Sequence, residues 1–101
     1  MPYRYHMANG NWTLLSNHGH VLVALSKDPT LRIRDLVDLI GITERSVRSI
    51  VAELNEDGYV TIVKNGRRNE YRIHEGMNFR HPAEATHQIR ELLSIFKAGT
   101  K

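Results

Sequence analysis

Four residues in the middle of the chain have side chains suited to reading the edges of base pairs. Arg45, Arg48, Ser49 and Ala52 recur at helical spacing, so on a helix they share one side. An arginine can donate two hydrogen bonds to guanine, a serine hydroxyl can bond to a base or a phosphate, and an alanine methyl can touch a thymine methyl. These residues have the chemistry needed to recognise duplex DNA.

The other side of the same segment is apolar. Val47, Ile50, Val51 and Leu54 follow the spacing i, i+3, i+4, i+7, which predicts an amphipathic helix with one buried stripe. Taken alone, the polar side could be an ordinary solvated helix surface. The segments before and after this helix favour DNA recognition instead.

A second amphipathic pattern precedes the first. Its apolar residues are Ile33, Leu36, Val37 and Ile40. Gly41 follows where a helix needs a left-handed C-terminal residue, and Thr43 lies where the next helix needs an N-cap. Ile42 would fill the turn and set the angle between the helices. The pattern predicts a helix-turn-helix whose second, recognition helix covers about residues 43–57.

Gly58 and the residues after it predict a β-hairpin. Val60 and Ile62 alternate with polar residues, as do Tyr71 and Ile73, which is typical of strands with one buried face. A four-residue loop over 65–68 would pair Ile62 with Tyr71. A two-residue turn at the Asn-Gly pair would instead set an asparagine opposite Ile62. We predict the four-residue loop because matched apolar pairs stabilise a sheet.

The tip of this hairpin, the wing (64–69), is cationic. Residues 64–72 contain four arginines or lysines and one carboxylate. Arg67 and Arg68 are placed to reach phosphates or an adjacent minor groove. The alternative is that these cations only protect a sheet edge from aggregation.

The helix and the wing together define a predicted DNA-binding site. Its residues are Thr43, Glu44, Arg45, Arg48, Ser49, Ala52, Lys64, Asn65, Arg67, Arg68 and Asn69.

In the order and spacing of these segments, the chain resembles the small MarR-type winged helix-turn-helix transcriptional regulators, which are related in shape to the ArsR type. The similar stretches are WTLLSNHGHVLVALSKDP, RIRDLVDLIGITERSVRSIVAELNEDGYV, GRRNEYRIH and RHP. The resemblance implies sequence-specific binding of double-stranded DNA by a symmetric dimer. It implies base reading by Arg45, Arg48 and Ser49, and backbone contacts by Arg67 and Arg68. Larger MarR proteins carry further terminal helices that form the dimer and an effector crevice. This chain has room for one long terminal helix, so the effector stays unknown.

The predicted fold class is α+β, mainly α: a winged helix-turn-helix with a two- to three-stranded wing sheet and a C-terminal helix. We predict an N-terminal arm over 1–15 and the winged domain over 16–75. A first helix should begin near Ser16 and end before Asp28, and residues 30–32 could add a short strand. The arm contains Tyr3, Tyr5 and Trp12, which we expect to cover a partner subunit or to cap their own core.

The C-terminal helix is predicted over 82–98, because Pro82 suits a first turn. Its apolar stripe consists of Ile89, Leu92, Leu93 and Phe96. Packing against its own domain and pairing with a second copy are both compatible with this stripe. The resemblance favours the homodimer.

Composition restricts the remaining possibilities. The chain has 101 residues, a formal net charge of +3 and no cysteine, so one compact domain is expected and thiol chemistry is excluded. No apolar run reaches membrane-spanning length, and the cytoplasm is the expected compartment. We find no catalytic motif and expect neither an enzyme nor a cofactor.

Histidine and glutamate residues near the C-terminus have a spacing that could contribute ligands to a metal site. Glu84, His87 and Glu91 would share one side of the predicted helix, but a solvated polar side explains them better, and no metal site is predicted. Two alternatives to the DNA-binding regulator stay open. They are a winged-helix module that binds another protein, and a metal- or ligand-responsive regulator.

Overall fold

The computed structural model describes residues 12–98. Its elements, in chain order, are α1 (Asn17–Lys27), α2 (Ile33–Ile40), α3 (Glu44–Glu56), β1 (Val60–Asn65), β2 (Arg68–Ile73) and α4 (Ile89–Ala98). This is the predicted winged helix-turn-helix, mainly helical with one small antiparallel sheet. No helix within the described range is long and apolar enough to cross a membrane.

The first helix begins and ends where the sequence predicts. The Ser16 hydroxyl accepts a hydrogen bond from the Gly19 N–H at 3.2 Å and caps the N-terminus. Val21, Leu22 and Leu25 are buried. This stripe packs against α2, α3 and α4 and so forms the centre of the core.

The turn between α2 and α3 also has the predicted geometry. Gly41 has a φ of 82°, and its N–H donates to the Val37 carbonyl at 2.8 Å. A side chain is strained in this left-handed conformation, which explains the glycine. The Thr43 hydroxyl accepts from the Ser46 N–H at 3.0 Å. The two caps end one helix and start the next within three residues, and this fixes the direction of α3.

The hairpin has the predicted register but a shorter loop. Ile62 pairs with Tyr71, and Val60 pairs with Ile73. The predicted four-residue loop is wrong, because β1 and β2 continue to Asn65 and Arg68 and leave two residues between them. Gly66, the first of these two, has a φ of 68°. A positive φ at this position alone is the type II′ arrangement, whose twist suits antiparallel strands.

The third strand suggested for residues 30–32 does not form, and the sheet of the described chain has two strands. The neighbouring segment is nevertheless joined to β2 by two hydrogen bonds. The Tyr71 N–H donates to the Pro29 carbonyl at 2.9 Å, and the Arg68 guanidinium donates to the Thr30 carbonyl at 2.6 Å. Pro29 has no N–H to donate and the Thr30 N–H donates to Asp28, so no ladder can continue.

The predicted start of the C-terminal helix at 82 is wrong. Residues 82–86 form turns, and α4 begins at Ile89. The Phe79 N–H donates to the His87 carbonyl at 3.0 Å, and the Ile89 N–H donates to the Met77 carbonyl at 2.8 Å. These bonds hold residues 87–89 extended against the chain after the wing. A helix therefore cannot begin before them.

The predicted dimer stripe on α4 is divided between two environments. Ile89 and Leu93 are 3% and 0% exposed and belong to the core, so they cannot contact a second copy. The physical reason is that α4 packs against α1. Leu92 and Phe96 are half-buried, and Ile95 is 64% exposed.

Of the aromatic residues predicted for the N-terminal arm, only Trp12 lies within the described residues. Tyr3 and Tyr5 lie outside the described residues. Trp12 is 74% exposed, and Leu14 close by is 90% exposed. Trp12 therefore does not cap the core of its own domain.

Candidate nucleic-acid interface

The recognition helix α3 presents the predicted polar surface to solvent. Val47, Ile50, Val51 and Leu54 are all buried. Arg45, Arg48, Ser49 and Ala52 are all exposed. The apolar stripe thus orients the helix and leaves the short and cationic side chains available to a groove.

The two arginines of α3 differ in their surroundings. Arg48 Nε and Nη2 donate to the same carboxylate oxygen of Glu44, at 2.9 and 2.7 Å. Arg45 has no hydrogen-bond or ion-pair partner within residues 12–98. Arg45 can therefore donate to an incoming base without losing a protein contact, whereas Arg48 has to share or leave Glu44.

Thr43 was predicted as a DNA contact, and the structure gives its hydroxyl a capping role. The oxygen accepts from the Ser46 N–H and donates its own proton to the Ser46 hydroxyl, both at 3.0 Å. The side chain therefore serves first to start α3. Its exposed position still leaves it near the end of the helix that would face DNA.

The charges of α3 are divided along its length. Near its C-terminus, Glu53 contacts His18 of α1 at 2.6 Å, and Asp57 contacts Arg80 at 2.8 Å. The N-terminal half carries the exposed arginines and the positive end of the helix dipole. The N-terminal half is therefore the part suited to a phosphate-lined groove.

The wing also contains one bound and one unbound arginine. Arg67 lies in the two-residue loop, is exposed, and has no partner in the described part of the chain. Lys64 and Asn65 beside it are exposed too. Arg68, however, donates to the Thr30 carbonyl and joins the wing to the connection between α1 and α2. It is placed to position the wing.

That connection is stiffened by Asp28. One carboxylate oxygen accepts from the Thr30 hydroxyl at 2.7 Å and from the Thr30 N–H at 3.0 Å. These hydrogen bonds, the hydroxyl first, lower the pKa of Asp28 below its ordinary value, with a smaller contribution from the positive charge of Arg68. Asp28 thus orders the residue whose carbonyl anchors Arg68.

Asn69, which was also predicted as a DNA contact, is half-buried. Its side-chain Oδ1 is buried and has no hydrogen-bond partner. Alternation along β2 puts Asn69 on the same face as the buried Tyr71, two residues on. The side chain therefore turns towards the body of the domain.

One further cation belongs with this surface and was absent from the sequence prediction. Arg34 lies in the first turn of α2, is exposed, and has no partner among residues 12–98. In helix-turn-helix proteins the first helix of the motif crosses the DNA backbone. An exposed arginine there is a candidate phosphate contact. Its position in the first turn of a predicted helix is the sequence feature that could have identified Arg34 as a phosphate contact.

The histidine and glutamate residues near α4 do not gather around one point. Glu84 is in a turn, so the predicted helical side does not exist there. His87 Nδ1 lies 2.8 Å from a Glu91 carboxylate oxygen, and this contact is the main cause that lowers the pKa of Glu91. Within the described residues, no three His, Asp or Glu side chains are grouped to hold a metal ion.

Comparison with known proteins finds one family model that matches the helical part of the chain. Residues 14–61 match the family model described as winged helix-turn-helix DNA-binding. No curated protein and no solved structure shows a significant match to the chain. The matched range contains α1, α2 and α3 and ends just inside β1. The match agrees with the winged helix-turn-helix fold that these elements form.

Proposed function

We propose that the protein is a sequence-specific regulator of transcription, of the MarR type, that binds double-stranded DNA as a homodimer. The exposed side of α3 enters the major groove, where Arg45, Arg48, Ser49 and Ala52 face the bases. The wing lies on the backbone or in the adjacent minor groove, with Arg67 at its tip.

The observation that carries this proposal is the exposed N-terminal half of α3. Arg45 is unpaired within the described chain, and the neighbouring Ser49 and Ala52 are short and exposed. Short side chains let a helix approach the groove closely, and an unpaired arginine can donate two bonds to one guanine. A helix that only covered the core would not need this combination.

The test is selection of bound DNA from a random duplex pool by the full chain. We expect a short enriched motif, with two inverted copies if the protein binds as a symmetric dimer. An enriched motif without inverted symmetry would support DNA reading and contradict the dimer. No enrichment would contradict base reading and favour the module that binds another protein. Equal enrichment by an Arg45→Ala variant would contradict base reading by Arg45.

The homodimer is supported by an apolar surface at the ends of the described chain. Trp12, Leu14 and Leu39 are 74%, 90% and 65% exposed and line one groove together with Phe96. Ile95, next to Phe96 on α4, is 64% exposed. Contiguous exposed apolar surface of this kind marks an interaction site. A two-fold axis would let this surface on one copy cover the same surface on another.

Sedimentation of charge variants tests the dimer. Trp12→Glu and Ile95→Glu would each place a carboxylate in the apolar contact, and because both side chains are exposed the monomer should stay folded. We expect folded monomers that lose far more affinity for a palindromic site than for a half-site. Ser94→Glu, which adds the same charge at an exposed position on α4, is the matched control and should remain dimeric. A monomeric wild-type chain would contradict the proposal, as would variants that still form dimers.

A further inference from the structure

A cleft lies on the side of α3 opposite the residues proposed to contact bases. It is bounded by the start of α1, the end of α3 and the segment leading into α4. Its volume is about 560 Å³, within the range of small-molecule sites in proteins. Its floor contains core residues from three elements, Leu22, Leu54 and Ile89. An occupant would therefore contact the recognition helix α3, the helix α1 that packs against it, and α4, which packs against α1.

Aromatic and acidic residues determine which ligand this cleft can hold. Phe79 and Tyr59 contribute aromatic rings to the lining. Glu53, Asp57 and Glu84 contribute three carboxylates. Aromatic rings attract cations through their negative faces, and carboxylates add an ordinary charge attraction.

The positive charges around the cleft do not balance these carboxylates. Arg80 is bound to Asp57 at 2.8 Å, and His18 contacts Glu53 at 2.6 Å. Glu84 is exposed, and its carboxylate has no partner within residues 12–98. The three carboxylates of the lining outnumber Arg80 and His18 together, so the lining carries an excess of negative charge.

From the cleft's volume, its apolar floor and this charge balance, we infer that it binds a small organic cation with an aromatic or aliphatic body. The apolar body would lie against Leu22, Leu54 and Ile89. The cationic group would lie among Phe79, Glu84 and the neighbouring carboxylates at the opening. A ligand bound there would touch the recognition helix at Leu54, near the C-terminal end of α3.

The groove lined by Trp12 and Phe96 does not have this chemistry. Its lining contains one lysine and one aspartate, Lys27 and Asp28, so it has no net preference for either sign of charge. The inferred cation site therefore differs in chemistry from the surface proposed for the dimer, although Leu14 and Leu15 border both.

The test measures binding of three probes of equal shape to the full chain without DNA, so its outcome does not depend on the proposed function. The probes are (2-naphthylmethyl)trimethylammonium, its neutral neopentyl isostere and 2-naphthylmethanesulfonate. Calorimetry gives the affinities, and methyl NMR shifts of Leu22 and Ile89 report the location. We expect the cation to bind most tightly, the neutral probe less, and the anion least.

Matched variants then test the role of the cleft's charge. Glu84→Gln should weaken binding of the cation about two- to fivefold, the range expected for an exposed charge pair, and leave the neutral probe unchanged. Glu56→Gln removes an exposed carboxylate of α3 that does not line the cleft, and should change neither. The inference is overturned if the three probes bind equally, if none binds, if Leu22 and Ile89 do not shift, or if both variants weaken the cation alike.

Discussion

The recognition helix and the wing each present two arginines, and each region binds one of them internally. In α3, Arg48 is held by Glu44, four residues away on the same helix. In the wing, Arg68 is held by the Thr30 carbonyl, 38 residues away in the chain. Arg45 and Arg67 have no partner within residues 12–98.

The two internal contacts have different consequences for DNA binding. The Arg48 contact lies on the surface that would face the bases, so DNA competes with Glu44 for the guanidinium. The Arg68 contact lies at the base of the wing and joins it to the connection between α1 and α2. We therefore expect Arg45 and Arg67 to make the direct contacts, Arg48 to adjust specificity, and Arg68 to place the wing.

The largest effect should come from the unpaired arginine of the helix. Arg45→Ala should cost about 1–3 kcal/mol on the selected site and much less on random DNA, because a bidentate contact to a base is lost. Arg48→Ala should cost less than Arg45→Ala, since Arg48 gives up Glu44 to bind. Competition binding assays with specific and random duplexes measure both. Equal losses on the two kinds of DNA would mean that these arginines contact phosphates.

The unpaired arginine of the wing should act on all sequences alike. Arg67→Ala should weaken specific and random binding by the same factor and make the slope of log affinity against log salt shallower by about 1, the value for one lost phosphate contact. Affinities measured across a salt series provide the slope. If the slope stays unchanged while affinity falls, the side chain acts in some way other than phosphate neutralisation.

The bound arginine of the wing should reveal itself without DNA. Arg68→Ala should speed amide exchange at the Tyr71 N–H, which donates to Pro29, about two- to tenfold, because the neighbouring anchor to Thr30 is lost. Arg72→Ala removes an exposed arginine of the same strand that has no partner in the described chain, and serves as the control. Hydrogen exchange followed by NMR measures both. Equal exchange in the two variants would contradict a positioning role for Arg68.

The smallest effect should be the Glu44 to Arg48 contact itself. Both side chains are more than half exposed, so their coupling in the free protein should be about 0.3–0.5 kcal/mol. A double-mutant cycle on the free energy of unfolding, with Glu44→Ala and Arg48→Ala, measures it. A coupling several times larger would mean that the contact stabilises α3 too strongly for DNA to exchange it.

Features that depend on neighbouring residues could be predicted from the sequence. Gly41 and Thr43 mark the turn because left-handed backbone and N-capping each need particular residue types within one turn of chain. The register of Ile62 with Tyr71 follows from matching apolar positions across a hairpin. The orientation of α3, and with it the exposed Arg45, follows from the apolar stripe.

Features that depend on distant residues could not be predicted from the sequence. Pro82 and the residues after it have a pattern that suits a helix, yet the strand-like bonds from Phe79 and Ile89 keep that stretch from becoming one. Ile89 and Leu93 were expected to contact a second copy. They belong to the core because α1 packs against α4. An apolar stripe in a sequence shows only that one side of a helix has to be buried. It does not show which surface buries it.

The sequence by itself therefore determined the helix-turn-helix, the wing register and the side of α3 that faces solvent, because periodicity and capping act over a few residues. Only the tertiary structure decided that Arg68 is bound to a distant carbonyl, where α4 begins and which apolar side chains remain exposed. A backbone carbonyl such as that of Thr30 can anchor Arg68 whatever side chain Thr30 carries. Contacts of that kind leave no mark in the order of residues and arise only when distant segments are brought together.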